Sequence, residues 1–528
     1  RRQVSDEVTN TDYSLNLRHE FSDRVTLELD AQYAKSHKQN LDFSLFGSMF
    51  ADQELDITGD YPVSIPHKPQ FLAYTWSSGG DYLEDNATRP ILNDPTDAEY
   101  FSDPRFQFWR AAMDHAEDSK GEQFAFSADL DYEFDEDSFI RRAKVGARFQ
   151  GRQQDVRYST YNWGNLSEVW NGSRPVNFDD TDPSAMVRYD FPNFFRGETA
   201  APPGAFYYGG DLINDYDGSV AFIRTIQDQA TALGASLDWQ PLAARAQAVA
   251  GSRFLPSEIQ TIDQDDYALY GMVSFGSDEM FGNVRFSGNA GLRWVKSDVR
   301  SASSRGPGSQ DDLGITLPFS ERCAPRSRPP ELGGGTVVPG GICTIGETAY
   351  QALQNFADGS LTYTQGTNTY DYLLPSMNLK FGLTDDLILR LAGSKVLSRP
   401  ENSYIRNYFT PTLDTEGNYL ASAGDPTLLP ATAWQFDASL EWYFARVGSL
   451  TLNGFYKDIE NFFYQQVRQE TISNAAGDTR TVTVRGPANF DGHGKVKGFE
   501  VAYQQTFDFL PAPLDGLGVQ ANYTYIDS

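Results

Sequence analysis

The run Tyr161-Asn-Trp-Gly-Asn-Leu-Ser-Glu-Val-Trp170 sets two indoles among amides and a carboxylate. Trp163 and Trp170 offer flat apolar faces, and Asn162, Asn165 and Glu168 offer hydrogen-bonding groups beside them. That combination suits a polar ring, stacked on one face and hydrogen-bonded at its edge. Tyr404, in a second aromatic stretch with Tyr408, is also assigned to ligand contact. The plain alternative is that these rings only pack their loops against one another.

No residues read as a catalyst. His19, His37, His67, His115 and His493 form no HExxH or other close ligand spacing, and there is no P-loop and no GxSxG. They read as loop residues, and no strand is expected to bring a histidine to a serine. Asp311-Asp312 and Asp263-Asp265-Asp266 lack EF-hand spacing and read as solvated acidic loops. The expectation is no enzyme, no metal and no cofactor.

Cys323 and Cys343 sit in one Gly/Pro-rich stretch without a CxxC, which argues against zinc. Free thiols are rarely kept in exposed loops, so a disulfide is expected, and with it an oxidising compartment. Closing a loop of about 20 residues is worth roughly 3 kcal/mol in the chain-entropy model.

The elements that must carry these residues announce themselves by a period of two. Trp434, Phe436, Ala438, Leu440 and Trp442 alternate with Gln435, Asp437, Ser439 and Glu441. Val284, Phe286, Ala290, Leu292 and Trp294 alternate with Arg285, Ser287, Asn289 and Arg293. One face is apolar and aromatic, and the other is charged. The same pattern predicts hairpins Thr11–Arg18 with Val25–Tyr33, Glu122–Phe134 with Ala143–Phe149, and Asp266–Phe275 with Asn283–Arg300. It continues in Tyr370–Leu383 with Leu387–Val396, Ala433–Tyr443 with Ser449–Phe463, and Lys497–Phe509 with Leu517–Ile526.

The turns inside hairpins are tight. The connections between them, roughly 34–121, 159–263, 301–368, 398–432 and 464–496, are long and read as irregular. Within them, Ala243–Ala250 and Ala349–Phe356 read as short helices, the second capped by a box at Thr344–Glu347 and ended by Gly359. Short turns on one side and long loops on the other mark an all-β fold, an antiparallel transmembrane β-barrel with short periplasmic turns and long extracellular loops. No apolar run approaches the ~18 residues of a membrane helix, which a barrel does not need. The net charge of −29 excludes nucleic acid as a partner.

The stretch from Tyr372 to Pro400, YLLPSMNLKFGLTDDLILRLAGSKVLSRP, resembles the mid-barrel signature of TonB-dependent outer-membrane receptors. Tyr161–Trp170 and Gly494–Val501 are similar to the same family, in the branch common in Caulobacter- and Xanthomonas-type bacteria. The resemblance implies a barrel of about 22 strands with a plugged lumen in the Gram-negative outer membrane. It also implies energised import of a bulky extracellular nutrient, surrounded by outer-membrane lipid and driven by the TonB–ExbB–ExbD complex through a segment ahead of the plug. Neither plug nor TonB-binding segment is recognisable, so residues 1–528 are expected to be one partial barrel domain.

Family cargoes include oligosaccharides, siderophores, haem and cobalamin. The aromatic loops suit sugars or aromatic siderophores, and an acidic mouth disfavours anionic complexes by Coulomb steering. An oligosaccharide is the favoured cargo. A siderophore or other metal complex, or a passive porin, is the alternative.

Overall fold

The computed structural model describes residues 1–59, 63–68, 96–135, 137–167, 175–199, 201–232, 237, 239–245, 247–278, 284–327 and 336–528. Twelve long strands form one antiparallel meander in chain order. They are β1 (Arg2–Ser22), β2 (Val25–Met49), β3 (Gln107–Glu133), β4 (Ile140–Arg157), β5 (Ile259–Ser277) and β6 (Arg285–Arg305). Next come β7 (Thr362–Gly382), β8 (Leu387–Ser398), β9 (Ala431–Ala445), β10 (Gly448–Glu460), β11 (His493–Thr506) and β12 (Gly518–Asp527). These are the six hairpins that the alternation predicts. Among the described residues β1 pairs only with β2 and β12 only with β11, so the wall is an open arc, a partial barrel.

The register shows why alternation decides the architecture. Phe286, Phe381, Leu389, Leu440, Leu452, Val501 and Tyr523 pair in turn across β6 to β12. One residue along, Ser287, Lys380, Arg390, Ser439, Asn453, Glu500 and Thr524 make a polar row on the opposite face. In the first half of the wall, Leu17, Leu29, Ala128, Ala147, Leu269, Trp294 and Leu373 form a matching apolar row. A slip of one residue would turn every such row over.

Which face is inside is settled by what covers it. On β6 above the membrane, Ser297, Val299 and Ser301 are buried beneath Arg399, Ile405 and Asn407 of the connection after β8, while Arg300 on the other face is exposed. The polar rows therefore line the lumen, and the apolar rows, with Phe436 about half exposed at 51%, face lipid. In the lumen, Arg142 Nε donates to Asp131 Oδ1 at 2.7 Å, Lys144 pairs with Asp129 at 3.2 Å, and Arg390 pairs with Glu441 at 2.8 Å. Gly146 is needed there: a Cβ would meet the Tyr270 ring at 2.5 Å, where Tyr270 crosses β4 to reach Asp129.

Aromatics mark both edges of the lipid face. Phe139, Phe275, Phe286 and Phe381 run ring to ring beside the tight turns, with centroids 5.6, 5.6 and 5.0 Å apart. Trp434 pairs with Lys395 near the loop side, and Trp442 pairs with Leu387 near the turns. Eight residues at ~3.3 Å each, tilted by about 40°, give roughly 20 Å between them, close to the height of the apolar band.

The loop side differs from the irregular segments expected. The strands outrun the membrane: β2 has 25 residues, about 60 Å at that rise and tilt. Above it the connections build soluble-type cores. Helix α1 (Tyr216–Ala232) packs Ile223 and Ile226 on Phe43, Leu45 and Trp109 of β2 and β3. Helix α2 (Glu347–Phe356) packs Tyr350, Leu353 and Phe356 on a four-stranded sheet of Phe409–Leu413, Tyr419–Ala423, Thr479–Asn489 and Phe463–Ser473.

Several sequence expectations are corrected here. Among the described residues of Ala243–Ala250 only Ala243 and Ala244 are helical, in the single 3₁₀ turn Leu242–Ala244; Arg245 leaves it in an extended conformation and pairs with Glu258. The box at Thr344–Glu347 does not form: the N-cap is Gly346, and Thr344 Oγ1 donates to Gly341 O. Asp263, Asp265 and Asp266 belong to β5, not to a loop. His19, His37, His115 and His493 lie in wall strands, His37, His115 and His493 in stretches that extend beyond the lipid on the loop side and His19 beside the β1–β2 turn.

Leu391 lies midway between the Trp434 and Trp442 levels on the lipid face, and Ala392 faces the lumen beside Asp437. Leu391→Arg is expected to cost ~2–4 kcal/mol on folding into lipid, and Ala392→Arg distinctly less. Denaturant titration in vesicles measures both; equal losses would contradict the assigned faces.

Candidate functional site

Three of the connections converge at the loop end. Residues 159–258, 306–361 and 399–430 enclose a cleft of about 350 Å³ between them. Its first wall is the segment after β4. Asn162–Asn165 adds as a short antiparallel strand to β3 at Ala111–Asp114. Alternation then divides the roles: Asn162 and Gly164 turn toward the packed side, and Trp163 turns toward the opening.

Asn162 is a clamp. Its Nδ2 donates to Asp114 Oδ1 at 2.7 Å and to Gln240 O at 2.6 Å, and its O accepts from Trp239 Nε1 at 3.1 Å. Gly164 lies under the buried Trp239, where a Cβ would come within 2.5 Å of it. Asp114 also accepts from Leu242 N at 3.0 Å and from the Tyr216 hydroxyl. Burial beside that carboxylate pushes the Tyr216 phenol up, so it stays a donor.

Trp163 is 57% exposed, its ring 5.1 Å from that of Phe46 and its open side on the cleft. Tyr161, also on the cleft, stacks at 4.2 Å on His115. His115 Nδ1 is 3.1 Å from Ser159 Oγ. Both are buried, and Ser159 Oγ already accepts from Ala116 N at 2.9 Å and donates to Thr160 O at 2.9 Å. The pair is a structural knot, not a poised nucleophile.

The floor holds a buried ion pair. Arg245 reaches Glu258 Oε1 at 2.9 Å and Oε2 at 2.7 Å, and the carboxylate also accepts from Thr160 N and Leu255 N. Both charges are satisfied within the protein. Asp311 and Asp312 lie at the far lip, where Asp312 Oδ2 accepts from Ser309 N at 2.9 Å and from Ser309 Oγ at 2.8 Å. The described residues contain no cluster of three or more potential metal ligands. Gln240, Gln247 and Thr410 complete a lining of aromatic faces, amides and hydroxyls.

Of the sequence-assigned residues, Asn162 and Trp163 meet at this cleft. Glu168 and Trp170 lie outside the described residues. Tyr404 packs elsewhere, on Ile262, Val299, Tyr370, Ile405 and Leu428, with its ring 6.0 Å from Phe463. Arg245, Glu258 and Trp239 were missed, because nothing in their local sequence shows that they converge. Cys323 and Cys343 form a disulfide, with Cα atoms 5.4 Å apart, in the connection between β6 and β7.

The meander, its two faces and its loop asymmetry define an outer-membrane β-barrel. The model of the TonB dependent receptor-like beta-barrel family matches residues 56–528, and the chain belongs to that family. Its place is therefore the Gram-negative outer membrane. A search of curated proteins finds no match.

Similar solved structures include the ferric-catecholate import receptor Fiu of E. coli, 12% identical, covering 99% of this chain and 48% of that one, TM-score 0.40. The siderophore receptor PiuA of Acinetobacter baumannii is 13% identical, covering 99% and 47%, TM-score 0.38. PirA of the same species, also a siderophore receptor, is 9% identical, covering 99% and 60%, TM-score 0.30. The chain spans about half the length of the first two.

Two predictions follow from the charges. Glu258→Gln strands Arg245 in a buried site and is expected to cost ~3 kcal/mol, whereas replacing both partners with apolar residues of similar volume costs much less. Limited proteolysis of the 241–258 segment reads the difference. His67, in the hairpin Asp52–Asp56 with Val63–His67, bridges Asp97 Oδ2 at 2.9 Å and Glu54 Oε2 at 3.2 Å. Those hydrogen bonds, the one to Asp97 first, raise its pKa. The bridge therefore stabilises fully below the free-histidine value of about 6.5 and is lost as pH rises through the raised value. Hydrogen exchange in the hairpin is expected to quicken over that interval beyond its intrinsic pH dependence, and His67→Gln should abolish the excess.

Proposed function

We propose that this chain is the barrel of an energised outer-membrane uptake receptor whose cargo is a neutral oligosaccharide. The observation that carries the cargo reading is the open Trp163 indole at the mouth of a cleft lined by amides and hydroxyls. A sugar ring stacks on such a face and exchanges its water hydrogen bonds for those of Gln240, Gln247 and Thr410. Among the described lining residues Arg245 is the one cation and is paired with Glu258, which leaves none spare for an anionic ferric complex, and Asp311 and Asp312 add negative charge. Glu168 and Trp170 join this rim by their closeness to Trp163 in the chain, and Asn162 holds its support.

On this reading residues 1–528 are a single barrel domain, of the Caulobacter/Xanthomonas-type branch that the Tyr161–Trp170 and Gly494–Val501 segments resemble. Cargo moves through it at the expense of the TonB–ExbB–ExbD complex, coupled through a segment outside the barrel, with lipid around the apolar face. No step makes or breaks a covalent bond, so the reading needs neither enzyme chemistry nor a cofactor.

Trp163→Ala in the full-length receptor is expected to weaken oligosaccharide binding about 30-fold, or ~2 kcal/mol, as loss of a stacked aromatic anchor does. Surface level and protease resistance should stay normal. Binding of ferric catecholates, lost in the same variant, would replace the sugar with a metal complex. Sugar uptake that ignores a protonophore would make the protein a passive porin.

A further inference from the structure

One segment of the connection after β8 lies against the lumen face of the wall. The ladder between β7 and β8 stops at Ser376 with Ser394, next to Pro375, which has no N–H. Residues 362–375 of β7 continue upward with no ladder to β8 among the described residues. Released from the wall at Ser398, the chain turns inward and crosses the lumen face as Arg399–Tyr408.

It has a built seat. Asn402 Nδ2 donates to Gln154 Oε1 of β4 at 3.0 Å, and Arg399 pairs with Asp266 of β5 at 3.2 Å. Asn407 N donates to Ser301 Oγ of β6 at 2.9 Å, and Asn407 Nδ2 donates to Thr364 O of β7 at 3.0 Å. The strap thus spans four strands, about 14 Å of perimeter at ~4.8 Å per spacing. Ile405 inserts among Ile262, Val299 and Tyr370, lumen-facing residues that turn apolar at this level. The seat is also imperfect: Arg406 Nε is buried without a hydrogen-bond partner, which raises the free energy of the seated state.

The strap runs directly into the cleft. Its next residues, Phe409 to Thr412, form one cleft wall. Occupancy of the cleft and position of the strap are therefore properties of one short, continuous segment. We propose that Arg399–Tyr408 is a gating strap, seated on the lumen wall of β4 to β7 at rest and unseated when the cleft is loaded and the receptor is energised. The proposal rests on the uptake reading above.

Ser301, fully buried beneath the strap, reports its position. Ser301→Cys adds the one reactive thiol to this chain, since Cys323 and Cys343 are bonded to each other. Cells carrying the full-length variant receive a membrane-impermeant maleimide, with either a polysaccharide hydrolysate or iron-loaded catecholates, each with and without a protonophore. Labelling is expected to rise about tenfold in an energised, fed arm, as for a local opening. Equal labelling in every arm would overturn the strap. Adding Ile405→Asp should give fast labelling in all arms; continued protection would mean that something else covers Ser301, and the proposal fails. Opening with iron complexes alone keeps the strap and removes sugar as cargo. Import of hydrolysate sugars with Cys still protected removes the strap and keeps the uptake reading.

Discussion

Inside a bilayer the backbone has no water to bond, and each unpaired N–H or C=O costs several kcal/mol. In this chain the ladder from β1 to β12 answers that constraint, and the rest of the structure depends on it. Because each wall strand must pair with the next through the lipid, register is continuous from Leu17 to Leu373 and from Phe286 to Tyr523. The alternation of side chains then acts collectively, one face for hydrocarbon and one for the lumen. Charge inside is tolerated because it is shared between neighbours, as in Asp131 with Arg142 and Asp129 with Lys144.

Above the lipid the constraint relaxes, and the same strands serve a second purpose. Extensions of β2 and β3 become a platform on which α1 buries Ile223 and Ile226. Beyond β8 the connections make a sheet of their own, covered by α2. These are ordinary water-excluding cores, driven by apolar burial. They give the loops enough rigidity to hold Trp163 open at a cleft, with the Asn162 clamp behind it and the Arg245–Glu258 pair beneath. A binding face needs such support, since an unsupported indole would simply collapse onto its neighbours.

The lumen shows the two regimes meeting. Where Ile262, Val299 and Tyr370 interrupt the polar face of β5, β6 and β7, Ile405 of the inward segment fills the place. A break in polar alternation was the mark of a docked loop. It is visible in the sequence only to a reader who already knows the register.

The sequence by itself determined the wall. Period-two alternation, tight turns such as Thr384-Asp385-Asp386 and the length of the connections identify the strands, their order and their faces, because strand pairing in a meander is local in the chain. It also marked the Ala349–Phe356 helix and the aromatic run around Trp163. Only the tertiary structure decided what the connections do. The parallel pair of Tyr419–Ala423 with Thr479–Asn489 joins segments about 60 residues apart with no periodic signal to link them. Tyr404 went to a packed cluster and Arg245 to the cleft floor for the same reason. A side chain's role in a loop is set by which distant segment lands on it, and local sequence does not encode that meeting.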